Sequence, residues 1–416
     1  MTADQKAALA ELLGRPALGR LLEILDCRGE ETRIVGGAVR NALLGRPIAD
    51  VDLATTATPE EVMARAEAAG FKAVPTGVEH GTVTVVAEGT PYEVTTLRED
   101  VETHGRRATV RFGRDFEADA RGRDFTINAL SLGLDGTVHD YVGGLADIAS
   151  RRVVFIGEPA ARIREDYLRI LRFFRFNAEY SDGPLDPAGL SAALRERQGL
   201  AILSRERVRL EFLKLLAARR AVEVVETLAL AGFALRIIRG VVELGRLSRA
   251  ASFEHEEGGH PDPIHRLAAL AVFVAEDADR LRELLRLSNA EHERLAAYSR
   301  LLAKLRSRSD PLDARSVRRL AAEDGIGALR DVLTATEGEP TPRFSADGLD
   351  AYRRFAAGRE DAPAFPLKGA DLVARGMAAG PDVGLRLTRA REAWLAEGCP
   401  MDEASTARLL EVALAP

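Results

Sequence analysis

The sequence predicts an α+β N-terminal domain followed by an all-helical remainder, and three features of its patterning carry that prediction. Alternating segments rich in Val and Thr, at residues 82–86 and 92–97, occur only in the first third of the chain. Glycine turns at Asp135-Gly136 and Gly143-Gly144 close that part, and no strand signal follows them. Beyond residue 145, Leu and Arg recur at helical spacing almost to the end. At 416 residues the chain exceeds one ordinary core, so two to four domains are expected.

In chain order, residues 1–30 form a helical lead-in, with Leu12, Leu13, Leu18, Leu21, Leu22 and Leu25 near a helical period. An apolar pair, Ile34-Val35, then runs into Gly36-Gly37 and a helix bearing Arg40. Glycines without a Cβ let backbone N–H groups approach a polyphosphate, and a helix N-terminus favours an anion there. Residues 48–53 read as a strand carrying Asp50 and Asp52 at i and i+2, so both carboxylates leave one face about 6.5 Å apart. Two hard oxygen donors at that spacing suit Mg²⁺ ions bridging nucleotide phosphates. Either motif alone is as readily a tight turn or a solvated edge; together they point to a phosphate site beside a metal site.

Thr58-Pro59-Glu60-Glu61 predicts a helix start with a capping box, and Gly70 its end. The segments 82–86 and 92–97 predict a hairpin through Glu88-Gly89. Glu93 on its second strand either adds a third carboxylate to Asp50 and Asp52 or is an ordinary exposed strand glutamate. Arg98 and Asp100, with the His104-Gly105-Arg106-Arg107 run, suggest a mobile loop over a substrate. In the cluster leading to Phe125, Arg123 and Asn128 are placed to contact phosphate or sugar, with Asp124 orienting Arg123.

A single helix over residues 160–176 puts Ile163, Tyr167, Ile170 and Phe174 on one face and Arg162, Glu165, Asp166, Arg169 and Arg172 on the other. Asp166 and Arg169, at i and i+3, are a surface ion pair worth at most about 1 kcal/mol, or a base reader. A carboxylate beside a guanidinium complements the amino group and ring nitrogen of cytosine and of adenine. Uracil and guanine offer a carbonyl in place of that amino group, and the pair rejects them.

Composition narrows the class. Net charge is −6, which does not advertise a nucleic-acid binder, yet residues 151–176 hold seven arginines against three acids and residues 300–319 seven basic residues against two acids. With 46% hydrophobic residues and no apolar run near the roughly 20 residues of a membrane span, no membrane partner is expected. The start of the chain shows no signal peptide, and only Cys27 and Cys399 occur, which together point to the cytoplasm. His255, His260, Asp262 and His265 lack the adjacent His-Asp pair of a metal-dependent phosphohydrolase; His260-Pro261-Asp262-Pro263 reads as a turn ahead of a helix. Ser288-Asn289-Ala290-Glu291 is a further capping box, predicting helices near 278–287 and 289–306, and Trp394 is expected in a core.

Five ordered blocks carry a resemblance: Gly36-Gly37-Ala38-Val39-Arg40, Asp50-Val51-Asp52-Leu53-Ala54-Thr55, Arg123-Asp124-Phe125-Thr126-Ile127-Asn128-Ala129, Glu165-Asp166-Tyr167-Leu168-Arg169 and Ser204-Arg205-Glu206-Arg207-Val208. In this order they resemble class II CCA-adding tRNA nucleotidyltransferases, a family that includes bacterial poly(A) polymerases. The resemblance implies a polymerase-β-like catalytic head (1–145), a helical neck with base recognition (146–220), a helical body (221–310) and a tRNA-binding tail (311–416). It implies Mg²⁺ on Asp50 and Asp52 with Glu93 as third carboxylate, and Gly36, Gly37 and Arg40 at the triphosphate. Asp166 and Arg169 would read the base, Arg123 and Arg172 would assist with phosphates or positioning, and Arg98 and Asp100 would belong to a flexible loop.

The implied reaction is attack of a tRNA 3′-hydroxyl on the α-phosphorus of CTP or ATP, assisted by two Mg²⁺, adding C, C and A with release of pyrophosphate. Poly(A) polymerase, CC-only or A-only addition and a catalytically silent RNA-binding protein are the alternatives. The sequence fits a monomer or a homodimer. Two positions depart from the family pattern: Asn41 stands where Asp is usual, and Gly122 where a second Arg is usual.

Overall fold

The computed structural model describes residues 1–78, 81–104, 107–256 and 258–415, with backbone alone for 99–104 and 107–111. Packing divides the chain into two compact units, Met1–Leu203 and Ser204–Pro416.

The first unit is the α+β part. Strands β1 (Thr32–Val35), β2 (Asp52–Thr55), β3 (Lys72–Gly77), β4 (Thr82–Ala87), β5 (Thr90–Thr96), β8 (Ser131–Gly133) and β9 (Val138–His139) form one sheet in the order β3-β4-β5-β2-β1-β8-β9. Only β2 and β5 run parallel, with Asp52 opposite Glu93. The predicted hairpin is β4–β5, and its alternation is real: Val83, Val85, Val94 and Tyr92 are buried while Glu93 is exposed.

Helices α1 (Ala3–Leu13) and α2 (Pro16–Leu25) make the lead-in, Pro16 opening the second at the first helical position. Leu18, Leu21, Leu22 and Leu25 are fully buried. Helix α3 (Gly37–Leu43) follows β1 directly, and α4 (Pro59–Ala68) begins with the anticipated Thr58–Glu61 capping box. Strands β6 (Arg98–His104) and β7 (Arg107–Phe112) form a separate two-stranded sheet. The backbone there is therefore a ribbon and not the expected loop; Val101, Thr103, Thr109, Val110 and Phe112 in that stretch favour extended structure.

Helices α5 (Phe116–Gly122) and α6 (Gly144–Ala149) lead to α7 (Pro159–Glu165), α8 (Leu168–Tyr180) and α9 (Pro187–Glu196). The single helix anticipated over 160–176 is broken at Asp166, whose backbone is extended at φ −154°, ψ 107°. The Asp166 carboxylate accepts from the Leu168 N–H at 3.1 Å, an Asx-type bond that competes with continuing the helix. Phe155, Phe173 and Phe176 pack their rings against Phe125; the Phe125 and Phe155 ring centroids lie 4.8 Å apart.

In the second unit every regular element among the described residues is a helix, joined by loops and one isolated bridge between Leu312 and Phe344. Helices Ala275–Leu285 and Asn289–Arg306 match the two expected there, the latter with the Ser288–Glu291 capping box. Asp262 caps the helix Pro263–Ala271, as the turn reading expects, and buried His265 bonds Glu254, the Asp331 carbonyl and Thr334. Trp394 is buried, its indole N–H donating to the Pro400 carbonyl at 2.9 Å. Among the described residues, no helix is long and apolar enough to cross a membrane.

Candidate active site

The sheet presents a cleft of about 220 Å³ at the end of β1, β2 and β5. Asp52, Glu93, Arg98, Asp119 and Arg123 supply its charged lining, with Val35, Leu53 and Thr95 among the rest. Asp52 is the first residue of β2, and the parallel pairing sets Glu93 beside it. Asp52 is held above its usual carboxylate range, first by partial burial and next by the neighbouring Glu93 charge; Arg123 opposes this and Asp50 adds to it.

Asp50 precedes the strand and does not share it. The β1–β2 ladder ends at Val35 opposite Asp52, because β1 then turns into Gly36, so residues 48–51 have no ladder partner. The same-face, two-residue spacing expected for the two aspartates is replaced by a carboxylate on the strand and one on the approach to it. Among the described residues, no three His, Cys, Asp or Glu side chains are gathered closely enough to hold a metal by themselves.

Gly36 has φ +67°, ψ −119°, which a side chain opposes, and a Cβ built there would lie 2.8 Å from Nη1 of Arg123. The turn and the Arg123 side chain are thus in close contact at the cleft's edge. Arg123 is oriented by Asp119, which takes its Nε at 3.1 Å and Nη2 at 3.0 Å. The sequence pattern alone assigns this task to the adjacent Asp124. The i,i+4 spacing of Asp119 and Arg123 was the available signal, at the end of α5.

Asp124 instead accepts from Asn128 at 2.9 Å and from Arg172 at 2.7 Å. Burial pushes its carboxyl up, but Arg172, Asn128 and the Phe125 N–H together hold it below the usual range. Asn128 in turn accepts from Arg40. Arg40 is buried, and its guanidinium also donates to the Tyr180 hydroxyl at 2.8 Å and twice to the Asn41 side-chain oxygen, at 3.1 and 2.9 Å. It lies 4.1 Å from the Tyr180 ring centroid.

Arg40 and Asn128, expected at the triphosphate or sugar, are therefore committed to a buried chain running Tyr180–Arg40–Asn128–Asp124–Arg172. Burial lowers the Arg40 pKa and pushes Tyr180 up to about 12. Asn41 does here what its acceptor oxygen permits, and Arg121, in place of a missing arginine at Gly122, is an exposed partner of Glu117.

Asp166 sits in the α7–α8 break and Arg169 in the first turn of α8. Arg169 donates to Glu165 at 2.5 Å and to the Arg162 carbonyl at 2.8 Å. Asp166, Arg169, Arg172 and Gly37 are not among the cleft's lining residues, whereas Arg98 is. The Asp100 side chain, Gly105 and Arg106 lie outside the described residues.

Residues 32–154 match the poly A polymerase head domain family. The mitochondrial CCA tRNA nucleotidyltransferase 1 of Danio rerio is 36% identical over 405 residues, covering 95% of this chain and 90% of the relative. Its Homo sapiens counterpart is 33% identical, covering 93% and 88%. Among solved structures, the Bacillus stearothermophilus CCA-adding enzyme in complex with CTP superposes with TM-score 0.69 at 28% identity, over 99% of this chain and 98% of that one. The Thermotoga maritima CCA-adding enzyme complexed with tRNA shares the fold, with TM-score 0.71 at 18% identity over 99% of both chains.

Proposed function

We infer that this chain, which belongs to the CCA tRNA nucleotidyltransferase family, adds CCA to tRNA 3′ ends from CTP and ATP without a template, releasing pyrophosphate. The observation that carries the reading is a cleft joining Asp52 and Glu93 to Arg123 in a chain akin to these enzymes over nearly its whole length. Acidic groups beside an arginine suit a nucleotide whose phosphates meet both a cation and a guanidinium.

The donor set fits a divalent cation. Asp52 and Glu93 are register neighbours, and partial burial followed by the like charge of Glu93 raises Asp52, a penalty that a hard cation relieves. Mg²⁺ binds through one or two carboxylates completed by substrate phosphates, so a site here does not require three protein ligands. Asp50 and Asp52 would hold it, with Glu93 as the third carboxylate; when bound it neutralises phosphate charge and eases deprotonation of the attacking hydroxyl.

Arg123, fixed by Asp119, binds a phosphate oxygen, and the Gly36-Gly37 backbone lies along the triphosphate. Asp166 accepts from the exocyclic amino group of C or A while Arg169 donates to the ring nitrogen. Arg172 acts through Asp124, and Arg40 through Asn128, as supports of that nucleotide site. Arg98 and Asp100 belong to the β6–β7 ribbon beside the cleft. The head, neck, body and tail remain 1–145, 146–220, 221–310 and 311–416, with tRNA along the helical parts. A cytoplasmic location rests on the free Cys27 and Cys399.

Labelled tRNA ending at the discriminator base, supplied with CTP and ATP together and singly, tests the reading. Three added residues ending in A support it. Long A tails from ATP alone select poly(A) polymerase, CC-only or A-only products select a partial enzyme, and no incorporation with Mg²⁺ selects a silent RNA-binding protein.

A further inference from the structure

The phosphate-side and base-side groups stand on different elements: Arg123 ends α5, whereas Asp166 and Arg169 flank the α7–α8 break. A nucleotide presented for transfer has to be gripped at both ends, and errors of about 0.5 Å between the two grips degrade a site. Some group must fix that spacing.

Arg162 is placed to do so. It lies on α7 with a side chain only 13% exposed. Its Nη2 donates to the backbone carbonyls of Gly122 and Arg123, the C-terminal end of α5, where helical carbonyls lack intrahelical partners and a cation is favoured. Its Nη1 takes both oxygens of Glu165 at 2.8 Å. Glu165 also receives Arg169, and the Arg162 carbonyl accepts from the same Arg169 nitrogen. One residue therefore holds the Arg123 backbone with its side chain and Arg169 with its carbonyl and its carboxylate partner. A second tie, Arg172 to Asp124, joins α8 to the residue after Arg123 but does not reach Arg169.

We propose that Arg162 is a positioning residue that sets the spacing between the Arg123 phosphate contact and the Asp166–Arg169 base reader, and so governs nucleotide discrimination. The proposal rests on the CCA-adding reading above. Arg162 touches neither base nor phosphate itself. A lysine has one point-like donor head and lacks the planar fork, so it cannot hold two carbonyls and a bidentate carboxylate together.

The test is single-nucleotide incorporation by wild type and by the Arg162→Lys and Arg162→Met full-length proteins, with kcat and KM for CTP, ATP, UTP and GTP. Circular dichroism and the thermal midpoint report folding. The expected result is folded Arg162→Lys protein whose preference for CTP over UTP, as the ratio of kcat/KM, falls at least tenfold. Most of the loss on CTP should appear in kcat, with Arg162→Met further reduced. Thermal destabilisation with the CTP-to-UTP ratio unchanged would overturn the inference and leave Arg162 a structural cap. Should both variants fail to fold, Glu165→Gln replaces them: it keeps α7 and the carbonyl bonds but weakens the link to Arg169, and an unaltered ratio there refutes the positioning role. Failure of the wild type to add CCA would instead refute the parent reading.

Discussion

Replacing Gly36 with alanine separates conformational need from mere position in a glycine pair. Gly36 has φ +67° and ψ −119°, while Gly37 is the first residue of α3 and has no positive φ. Backbone strain for an L-residue in such a sparsely populated region is of order 1–3 kcal/mol. The added Cβ would also meet Arg123 Nη1 at 2.8 Å, forcing the guanidinium to shift against Asp119. That ion pair is partly exposed and contributes no more than about 1 kcal/mol. The sum is a destabilisation of about 1–4 kcal/mol for Gly36→Ala. At Gly37 a Cβ would meet only Arg40 Nη2, at 3.6 Å, and alanine favours a helix over glycine by up to about 1 kcal/mol. Gly37→Ala is thus expected to be neutral or slightly stabilising. Urea unfolding of both variants reads the difference, and CTP incorporation reads the displacement of Arg123, expected as about a tenfold loss in kcat/KM for Gly36→Ala, or 1.4 kcal/mol in the barrier. Equal stability of the two variants would refute the assignment of strain to Gly36.

Two further outcomes are expected. Tyr180→Phe keeps the ring against Arg40 but removes the hydroxyl that accepts from its buried Nη2, costing about 2 kcal/mol in urea unfolding; stability within 0.5 kcal/mol of wild type would mean that this bond contributes little. Asp124 is held below its ordinary pKa in the folded protein, so its stabilising share is complete above the unfolded value of 3.8 and is lost as pH falls from there through the folded value. Asp124→Asn should therefore be less stable than wild type at pH 7, with the gap closing below about pH 4; a gap of equal size at pH 7 and pH 3 would contradict the ionised, paired state.

The sequence made the hairpin β4–β5, the capped start of α4 and the paired helices around Ser288 legible, because each depends on neighbours within a few residues. The parallel pairing that brings Glu93 to Asp52 joins segments 41 residues apart, so the reading there reached only two open alternatives. The helix over 160–176 failed for a local reason that periodicity does not register: Asp166 satisfies the Leu168 N–H with its own side chain, and the apolar face continues across the break. The buried bonds of Arg40 and Asn128 were not legible, because residue type alone does not tell an arginine that meets solvent from one whose donors are met by Asn41, Asn128 and Tyr180.

Compensation, more than membership of a motif, distinguishes the charges of the buried chain from those of the cleft. Along Tyr180–Arg40–Asn128–Asp124–Arg172, donors and acceptors alternate, and a buried chain of this kind tolerates its charges because each is bonded. Asp52 is the reverse: partial burial first, and next the neighbouring Glu93 charge, hold its carboxyl above the usual range, with Asp50 adding to this and Arg123 opposing it. On the proposed function, a cation and a polyphosphate bound there relieve that penalty. Arg40 and Arg123 belong to equally clear sequence blocks. The first closes the buried network, while the second lines the cleft beside Asp52 and Glu93, and on the proposed function it is there that substrate binding has the most electrostatic free energy to gain.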